Sequence, residues 1–189
     1  MRILVVGASG VLGRALIPHL AGHDVVGTTR APARRATIEA AGASAVVCDV
    51  YEPGALERLA RDAAPEIVVN LLTDLAAASR EANARIRREG GPVVVQAARA
   101  AGARRLIVES VAFASEMKGE GASALAALED GALASGLEAV IIRFGRLWGP
   151  GTWSESAPAR APTVHVSEAG RRAAPLVIAA PPGLYDVVD

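Results

Sequence analysis

Cysteine, lysine and aromatic side chains are all scarce in this chain of 189 residues. The one cysteine, Cys48, excludes an intramolecular disulfide and argues against a structural zinc site, so no metal is expected. Aromatic residues make up 3% of the chain, so a core must be assembled from Ala, Val, Leu and Ile. Lys118 is the sole lysine, which leaves arginine to carry nearly all the positive charge, and twenty basic residues balance twenty acidic ones. With no net charge and no long run of either sign, neither nucleic acid nor an anionic membrane surface is indicated as a partner. No apolar run reaches membrane-spanning length, and a first strand starting at Arg2 leaves no room for a signal peptide, so a cytoplasmic protein is expected. A chain of this length is expected to form one domain, 1–189, burying roughly 70% of its unfolded surface.

What is present begins at the amino terminus. Residues 3–14, ILVVGASGVLGR, run from an apolar strand through a glycine-rich turn into a helix. Ile3, Leu4, Val5 and Val6 form the continuous apolar run expected of a central parallel strand covered on both faces. Gly7 permits a turn that a side chain would obstruct, Gly10 lets a pyrophosphate approach the first turn of the helix, and Gly13 allows that helix to pack closely on the strand. The spacing G-x-x-G-x-x-G differs from the commoner G-x-G-x-x-G, but its strand and helix context points to a bound dinucleotide. The rival reading is a glycine-rich turn in some other α/β protein.

Short apolar runs alternate with Ala-rich helical stretches along most of the chain. Strands are predicted near 2–6, 23–28, 45–48, 66–71, 104–109 and 137–142, and helices at 10–21, 33–41, 53–63, 79–101 and 121–135, the fourth open to a break at Gly90–Gly91–Pro92. Gly22, Gly42, Gly102 and Gly136 each follow a helix, where a left-handed residue closes it. This alternation implies right-handed crossovers and a Rossmann-type doubly wound parallel sheet, three layers α/β/α, with a ligand beyond the carboxyl ends of the strands. After Phe144 the pattern changes: 145–162 reads as a loop, 166–179 as a helix interrupted at Pro175, and 183–189 as a last short strand.

With these elements placed, the chain resembles the extended short-chain dehydrogenase/reductase family, which includes NAD(P)-dependent sugar epimerases and dehydratases. The resemblance is carried by GASGVLG at 7–13, CDV at 48–50, VVNLLT at 68–73 and Asn83, then by AARAAGARRLIVES at 97–110, IIRFGRLWGPG at 141–151, TVHVSEA at 163–169 and GLYDVVD at 183–189. It implies that the glycine turn, with Ser9, Val11 and Leu12 between and beside its glycines, holds the cofactor. Asp49 resembles the aspartate beside the adenine, with Val50 packing on the ring; the alternative is a cap or turn after the third strand. Asn70, Leu71 and Leu72 fall where the fourth strand passes the cofactor riboses, and Asn83 matches an asparagine the family uses structurally. Arg30 ends the second strand, where an acidic residue would receive a ribose 2′-hydroxyl and an arginine can pair with the 2′-phosphate of NADP. Arg34 and Arg35 could reinforce it, or all three could be solvated charges; NADP is preferred over NAD.

The family's chemistry is missing. Its relatives work through a Tyr-x-x-x-Lys helix, whose tyrosine handles the substrate proton and whose lysine binds the nicotinamide ribose. Alignment on Glu129 puts Gly121 and Leu125 at those two positions, and no Tyr-x-x-x-Lys exists anywhere in the chain. The family's hydroxyl falls at Ser110 or one residue beyond, so Ser110 either hydrogen-bonds a substrate carbonyl or caps the strand end. Glu109, where the family has a small polar residue, could serve as acid or base if burial raised its pKa, or be an exposed charge. Arg143, Trp148, Trp153 and His165 lie at substrate-side positions, with core packing as the alternative for the two tryptophans, and Glu116, Lys118 and Glu120 lie in a loop before the altered helix. Only about a dozen residues separate the GPG turn from TVHV, and 143–189 reads as a residual substrate-side segment, so a small substrate or a partner subunit is expected. The expected function is an atypical NADP-dependent oxidoreductase or epimerase-like enzyme; the alternatives are a non-catalytic NADP-binding sensor or partner subunit, and a structural protein with an empty cleft. Helices 79–101 and 121–135 correspond to those that dimerise relatives, so a homodimer is expected.

Overall fold

The computed structural model describes residues 1–73 and 80–189. Nine strands lie among the described residues: β1 (Arg2–Val6), β2 (Asp24–Thr29), β3 (Ser44–Val47), β4 (Ile67–Asn70), β5 (Arg105–Val111), β6 (Glu138–Phe144), β7 (Arg146–Trp148), β8 (Thr163–His165) and β9 (Gly183–Val187). Seven of them form one sheet in the order β3-β2-β1-β4-β5-β6-β9, every neighbouring pair parallel. The α-helices are α1 (Val11–Leu16), α2 (Arg35–Ala40), α3 (Ala55–Ala63), α4 (Arg80–Arg85), α5 (Gly91–Ala100), α6 (Glu120–Leu133) and α7 (Val166–Ala179).

The two faces of the sheet are separated by the two-residue period of its strands. Ile3 and Val5 of β1 join one core with Leu12 and Leu16 of α1, Ile38 of α2 and Ala173 and Val177 of α7. Leu4 and Val6 join the other with Leu56 of α3, Val94 of α5 and Leu128 of α6. Both faces are covered, which is why the strands read as unbroken apolar runs. With few aromatics the layers come together on small residues: a Cβ on Gly170 of α7 would lie 2.2 Å from the Ala15 carbonyl oxygen, and one on Gly13 of α1 would lie 2.2 Å from that of Ala8.

The predicted elements are present among the described residues, with differences in extent, four of which bear on the site and its surroundings. The stretch 145–162 is not all loop, because β7 pairs in parallel with β8; Gly145 permits it, since a Cβ there would meet the Thr163 backbone at 2.6 Å. Pro175 does not interrupt α7: it sits on the exposed side while Gly170, Ala173, Ala174 and Val177 hold the buried side, and burial outweighs the lost backbone donor. Between α4 and α5 the chain does not break at Gly90–Gly91–Pro92 but widens into a π-helical turn, Ile86–Gly90, with Pro92 in the first turn of α5 where no intrahelical donor is needed. Strand β5 continues to Val111, placing Ser110 inside the strand rather than beyond its end. The expected start of the fourth helix at residue 79 lies outside the described residues. Gly22, Gly42, Gly102 and Gly136 do adopt positive φ after their helices.

Candidate active site and nucleotide cleft

Between β1 and β4 the strand order reverses, and there a cleft of about 310 Å³ opens at the carboxyl ends of the strands. Its floor is the turn after β1. Gly7 has φ +85°, and a Cβ on it would lie 2.8 Å from the Leu71 carbonyl oxygen, so the turn and the end of β4 touch through bare backbone. The Gly7 amide donates to Thr28 Oγ1 at 3.3 Å, and the Ser9 hydroxyl donates to Thr29 Oγ1 at 3.0 Å, which ties the turn to the end of β2. Gly10, in extended conformation, starts α1 with no side-chain cap.

Of the residues expected to hold the nucleotide, Gly7, Ser9, Gly10 and Arg30 line the cleft, as do Asp49, Val50, Leu71 and Leu72. Arg34 joins Arg30 along the cleft at the end formed by β2. Asp49 Oδ1 accepts from the Tyr51 amide at 3.0 Å, so the turn role and the cleft position hold together. Val11, Leu12, Gly13 and Asn70 do not line the cleft. Leu12 turns into the core and Gly13 packs on Ala8. Asn70 is buried, and its Oδ1 accepts from the Leu72 amide at 3.1 Å, shaping the turn that carries Leu71 and Leu72 to the cleft wall.

Thr28, Thr29, Cys48, Tyr51 and Ile86 also line the cleft, and the sequence alone does not single them out for it. Thr28 and Thr29 could be found from their place at the end of the strand leading into Arg30. Tyr51 carries no local signal; it is held by the guanidinium of Arg85, from a helix far along the chain, 4.7 Å above its ring. Burial, with Asp49 and Glu52 nearby, raises the Cys48 pKa, so the thiol stays protonated.

Beyond the cleft, β5 and β6 run side by side with Ser110 opposite Arg143. The Ser110 hydroxyl donates to Glu129 of α6, and Arg143 grips the same carboxylate twice, Nε to Oε1 at 2.9 Å and Nη2 to Oε2 at 2.6 Å. Burial alone would raise the Glu129 pKa, but these hydrogen bonds outweigh it and hold the carboxyl below its ordinary value. Ser110 has no exposed surface, so its hydroxyl belongs to this network. Leu125, one turn before Glu129, is buried.

Glu109 points to the opposite face of the sheet. It lines a cavity of about 10 Å³, the size of one water molecule, among Leu12, Leu71, Ile142 and Phe144. Leu71 belongs to both this cavity and the cleft, so Glu109 stands just behind the cleft wall. Burial pushes its carboxyl up to about 7, against the pull of the Arg87 cation. Arg87, on the π-helical turn, is itself buried; burial lowers its pKa while Glu109 and Glu129 raise it. Sequence reasoning misses Arg87, since nothing local distinguishes it from Arg88, which pairs with Glu120 at the surface.

In the segment expected to face the substrate and the loop before α6, Glu116 joins Arg146 and Arg160, with Arg146 stacked 4.1 Å over Phe113. Trp148 meets His165 edge-on with ring centroids 4.5 Å apart. Trp153 is 71% exposed, so it contributes nothing to core packing.

A doubly wound parallel sheet with a glycine turn and a cleft at its switch point defines a dinucleotide-binding class of α/β protein. The model of the NAD dependent epimerase/dehydratase family matches residues 3–125, and the chain belongs to that family. A Streptomyces protein, 3-diazoavenalumate denitrifying reductase, is 36% identical over 80% of this chain and 58% of its own length. Ceramide reductase of Caulobacter vibrioides is 31% identical over 79% of this chain and 47% of its own. The chain thus spans about half the length of these curated relatives. In fold it is similar to WbmH of Bordetella bronchiseptica, solved in complex with NAD+, with a TM-score of 0.82 at 21% identity over 100% of this chain and 75% of that one. UDP-glucose 4-epimerase of Thermus thermophilus, complexed with NAD, gives a TM-score of 0.80 at 18% identity over 100% of this chain and 78% of that one.

Proposed function

We propose that this protein is an NADPH-dependent reductase of a small acceptor. The observation that carries the reading is the cleft itself: a glycine turn in bare-backbone contact with the end of β4, and two arginines, Arg30 and Arg34, at the end where the adenosine ribose would lie. The guanidinium of Arg30 would hold the 2′-phosphate through charge-assisted hydrogen bonds, Arg34 would add to the local positive potential, and Asp49 would face the adenine edge. Gly7, Ser9 and Gly10 would lie along the pyrophosphate, with Val50, Leu71 and Leu72 as apolar walls. A reduced nicotinamide, when bound, supplies the hydride; the chain's share is to bind, orient and exclude water.

Reduction is favoured over epimerisation for two reasons. Epimerisation needs a residue that removes and returns a proton at the substrate, and α6 carries Gly121 and Leu125 where the family's tyrosine and lysine would be. Both curated relatives are reductases. Glu109 lines a separate small cavity that shares Leu71 with the cleft, whereas Ser110 is committed to Glu129 and acts as a structural donor.

One relative supports a second acceptor class. A hydride added to a diazonium arene expels N₂ and leaves a C–H bond, so the protein supplies no proton; the denitrifying reductase and the missing Tyr-x-x-x-Lys both suit this acceptor.

Fluorescence titration with NADPH and NADH tests the cofactor: saturable binding with NADPH the tighter supports the reading, and no saturation by either at millimolar nucleotide ends it. Deuteride transfer from labelled NADPH to a panel of carbonyls and diazo arenes then identifies the acceptor. Binding without transfer would instead support the sensor role. Light scattering checks the expected homodimer.

A further inference from the structure

Among the described residues that line the cleft, one is aromatic, and it is paired with a cation from the other half of the sheet. Tyr51 lies in the turn after β3, two residues beyond Asp49, whose carboxylate accepts from the Tyr51 amide at 3.0 Å and fixes the backbone there. Arg85, the last residue of α4, sets its guanidinium 4.7 Å from the centre of the Tyr51 ring. The same guanidinium donates to Glu89, Nε to Oε2 at 3.0 Å, so it is held on two sides. Tyr51 lines the cleft and Arg85 does not, so Tyr51 is the member of the pair that a bound ligand meets.

The pair joins parts of the chain that the strand order holds apart. β3 is the outer strand on the β2 side of the glycine turn, and α4 follows β4 on the other side of the switch point. Ile86, next to Arg85, lines the cleft, and a Cβ on Gly90 of the same π-helical turn would lie 3.3 Å from Leu72 Cδ1. With a pyrophosphate on the glycine turn, the β3 end receives the adenosine half, and Cys48, Asp49, Val50 and Tyr51 follow one another along it. Asp49 suits the polar edge of a base and Val50 offers an aliphatic surface. Only Tyr51 offers a π face.

We propose that Tyr51 is the platform on which the adenine ring stacks, and that Arg85 is the positioning residue that holds and polarises it. This rests on the nicotinamide-nucleotide reading of the cleft. Face-to-face stacking of two rings is opposed by the negative charge on both faces. A cation on one face of Tyr51 draws electron density toward itself, which lessens that opposition on the face left for the base. The guanidinium also holds the ring in place, so less freedom is lost when the base arrives. Adenine is common to NADPH and NADH, so the platform adds affinity for both alike, while discrimination between them belongs to Arg30.

The test uses the full chain with Tyr51→Phe, Tyr51→Leu, Arg85→Met and the double variant of the last two. The probe is 2′,5′-ADP, which carries the adenosine half without the nicotinamide. In calorimetric titrations Tyr51→Leu should weaken its binding about tenfold, and Tyr51→Phe should stay within about twofold of the parent. Arg85→Met should weaken it about threefold and should add nothing once Tyr51 is leucine. NADPH and NADH should lose the same factor in Tyr51→Leu, so that their ratio is kept. In proton NMR, adenine H2 and H8 of bound 2′,5′-ADP should lie further upfield on the parent and on Tyr51→Phe than on Tyr51→Leu, a shift that a merely structural role for the ring would not produce. Binding within twofold of the parent in Tyr51→Leu, or upfield shifts that survive in it, overturns the platform. Where Tyr51→Leu does not fold, nuclear Overhauser contacts between the Tyr51 ring and the adenine protons on the parent decide, and their absence overturns it. An Arg85→Met effect that persists in full in the double variant overturns the positioning role. A parent that binds neither NADPH nor 2′,5′-ADP sinks the cofactor reading and the platform together, whereas stacking without hydride transfer removes the reductase reading and leaves the platform standing.

Discussion

Glu109 and Glu129 are carboxyls on opposite faces of the sheet whose pKa values are driven in opposite directions, and each makes stability depend on pH in its own way. The Glu109 pKa rises from 4.5 to about 7 on folding. Between those values the folded chain holds a proton that the unfolded chain has lost, so stability falls as pH rises through this window and is fully present below it. The penalty above neutral is about 3 kcal/mol as an upper figure, because the residue keeps some contact with solvent. Glu109→Gln should abolish this slope, leaving the variant the more stable protein at pH 8 and close to the parent at pH 5, as read by urea denaturation. Glu129 behaves in the reverse sense: its pKa is held down on folding, so its contribution is present above the ordinary carboxylate range and is lost as pH falls. Arg143→Met strands that carboxylate beneath α6 and should cost about 2–4 kcal/mol, less than a fully buried pair because Arg143 keeps 31% of its side chain in water. A loss below about 1 kcal/mol would mean the network is not formed in solution.

Among the elements, α1 and α7 cross where no side chain fits between them. Gly170→Ala would drive a Cβ to 2.2 Å from the Ala15 carbonyl oxygen and 2.9 Å from its Cβ, so the helices must separate. We expect a loss of about 2–3 kcal/mol, with the denaturation midpoint as readout; an unchanged midpoint would show that α7 can shift freely. Gly13→Ala strains the other side of α1 against Ala8 and should weaken nucleotide binding as well, since α1 carries the turn at its start. Pro175 in α7 shows an element overruling its own sequence. The residue that ordinarily ends a helix is carried on the exposed side because Ala169, Gly170, Ala173 and Val177 are buried on the other. The π-helical turn before α5 is the matching case, where Gly90–Gly91–Pro92 suggests a break and packing keeps the helix going while rotating Arg87 inward.

For the whole molecule, nucleotide binding adds to stability in proportion to the logarithm of affinity. NADPH at about 100 times its Kd should contribute about 2.7 kcal/mol, raising Tm by about 5–10 °C, with a smaller rise for NADH at the same concentration. Arg30→Asp should reverse that order; an unchanged order would remove Arg30 from the adenosine end of the cleft. The sheet is reached through parallel pairings of distant segments, and its strands are legible as apolar runs between Ala-rich helices. The short β7 and β8 pair is not, because three-residue strands separated by a Pro- and Ser-rich stretch carry no period of their own.

The sequence by itself determined the doubly wound class, the glycine turn and the loss of the Tyr-x-x-x-Lys pair, because each is written in contiguous residues whose spacing has a local meaning. The cleft-lining residues among those expected to hold nucleotide, Gly7 and Arg30 among them, follow from the same logic, since strand ends converge at a switch point whatever the details of packing. What only the tertiary structure decided is which charges face one another. Ser110 goes to Glu129, which Arg143 also grips, while Glu109 turns behind Leu71, although Glu109 and Ser110 are neighbours in the chain. A strand sends successive side chains to opposite faces, and the partners that await them come from other helices and strands, so their protonation is a property of the fold and not of the sequence around them.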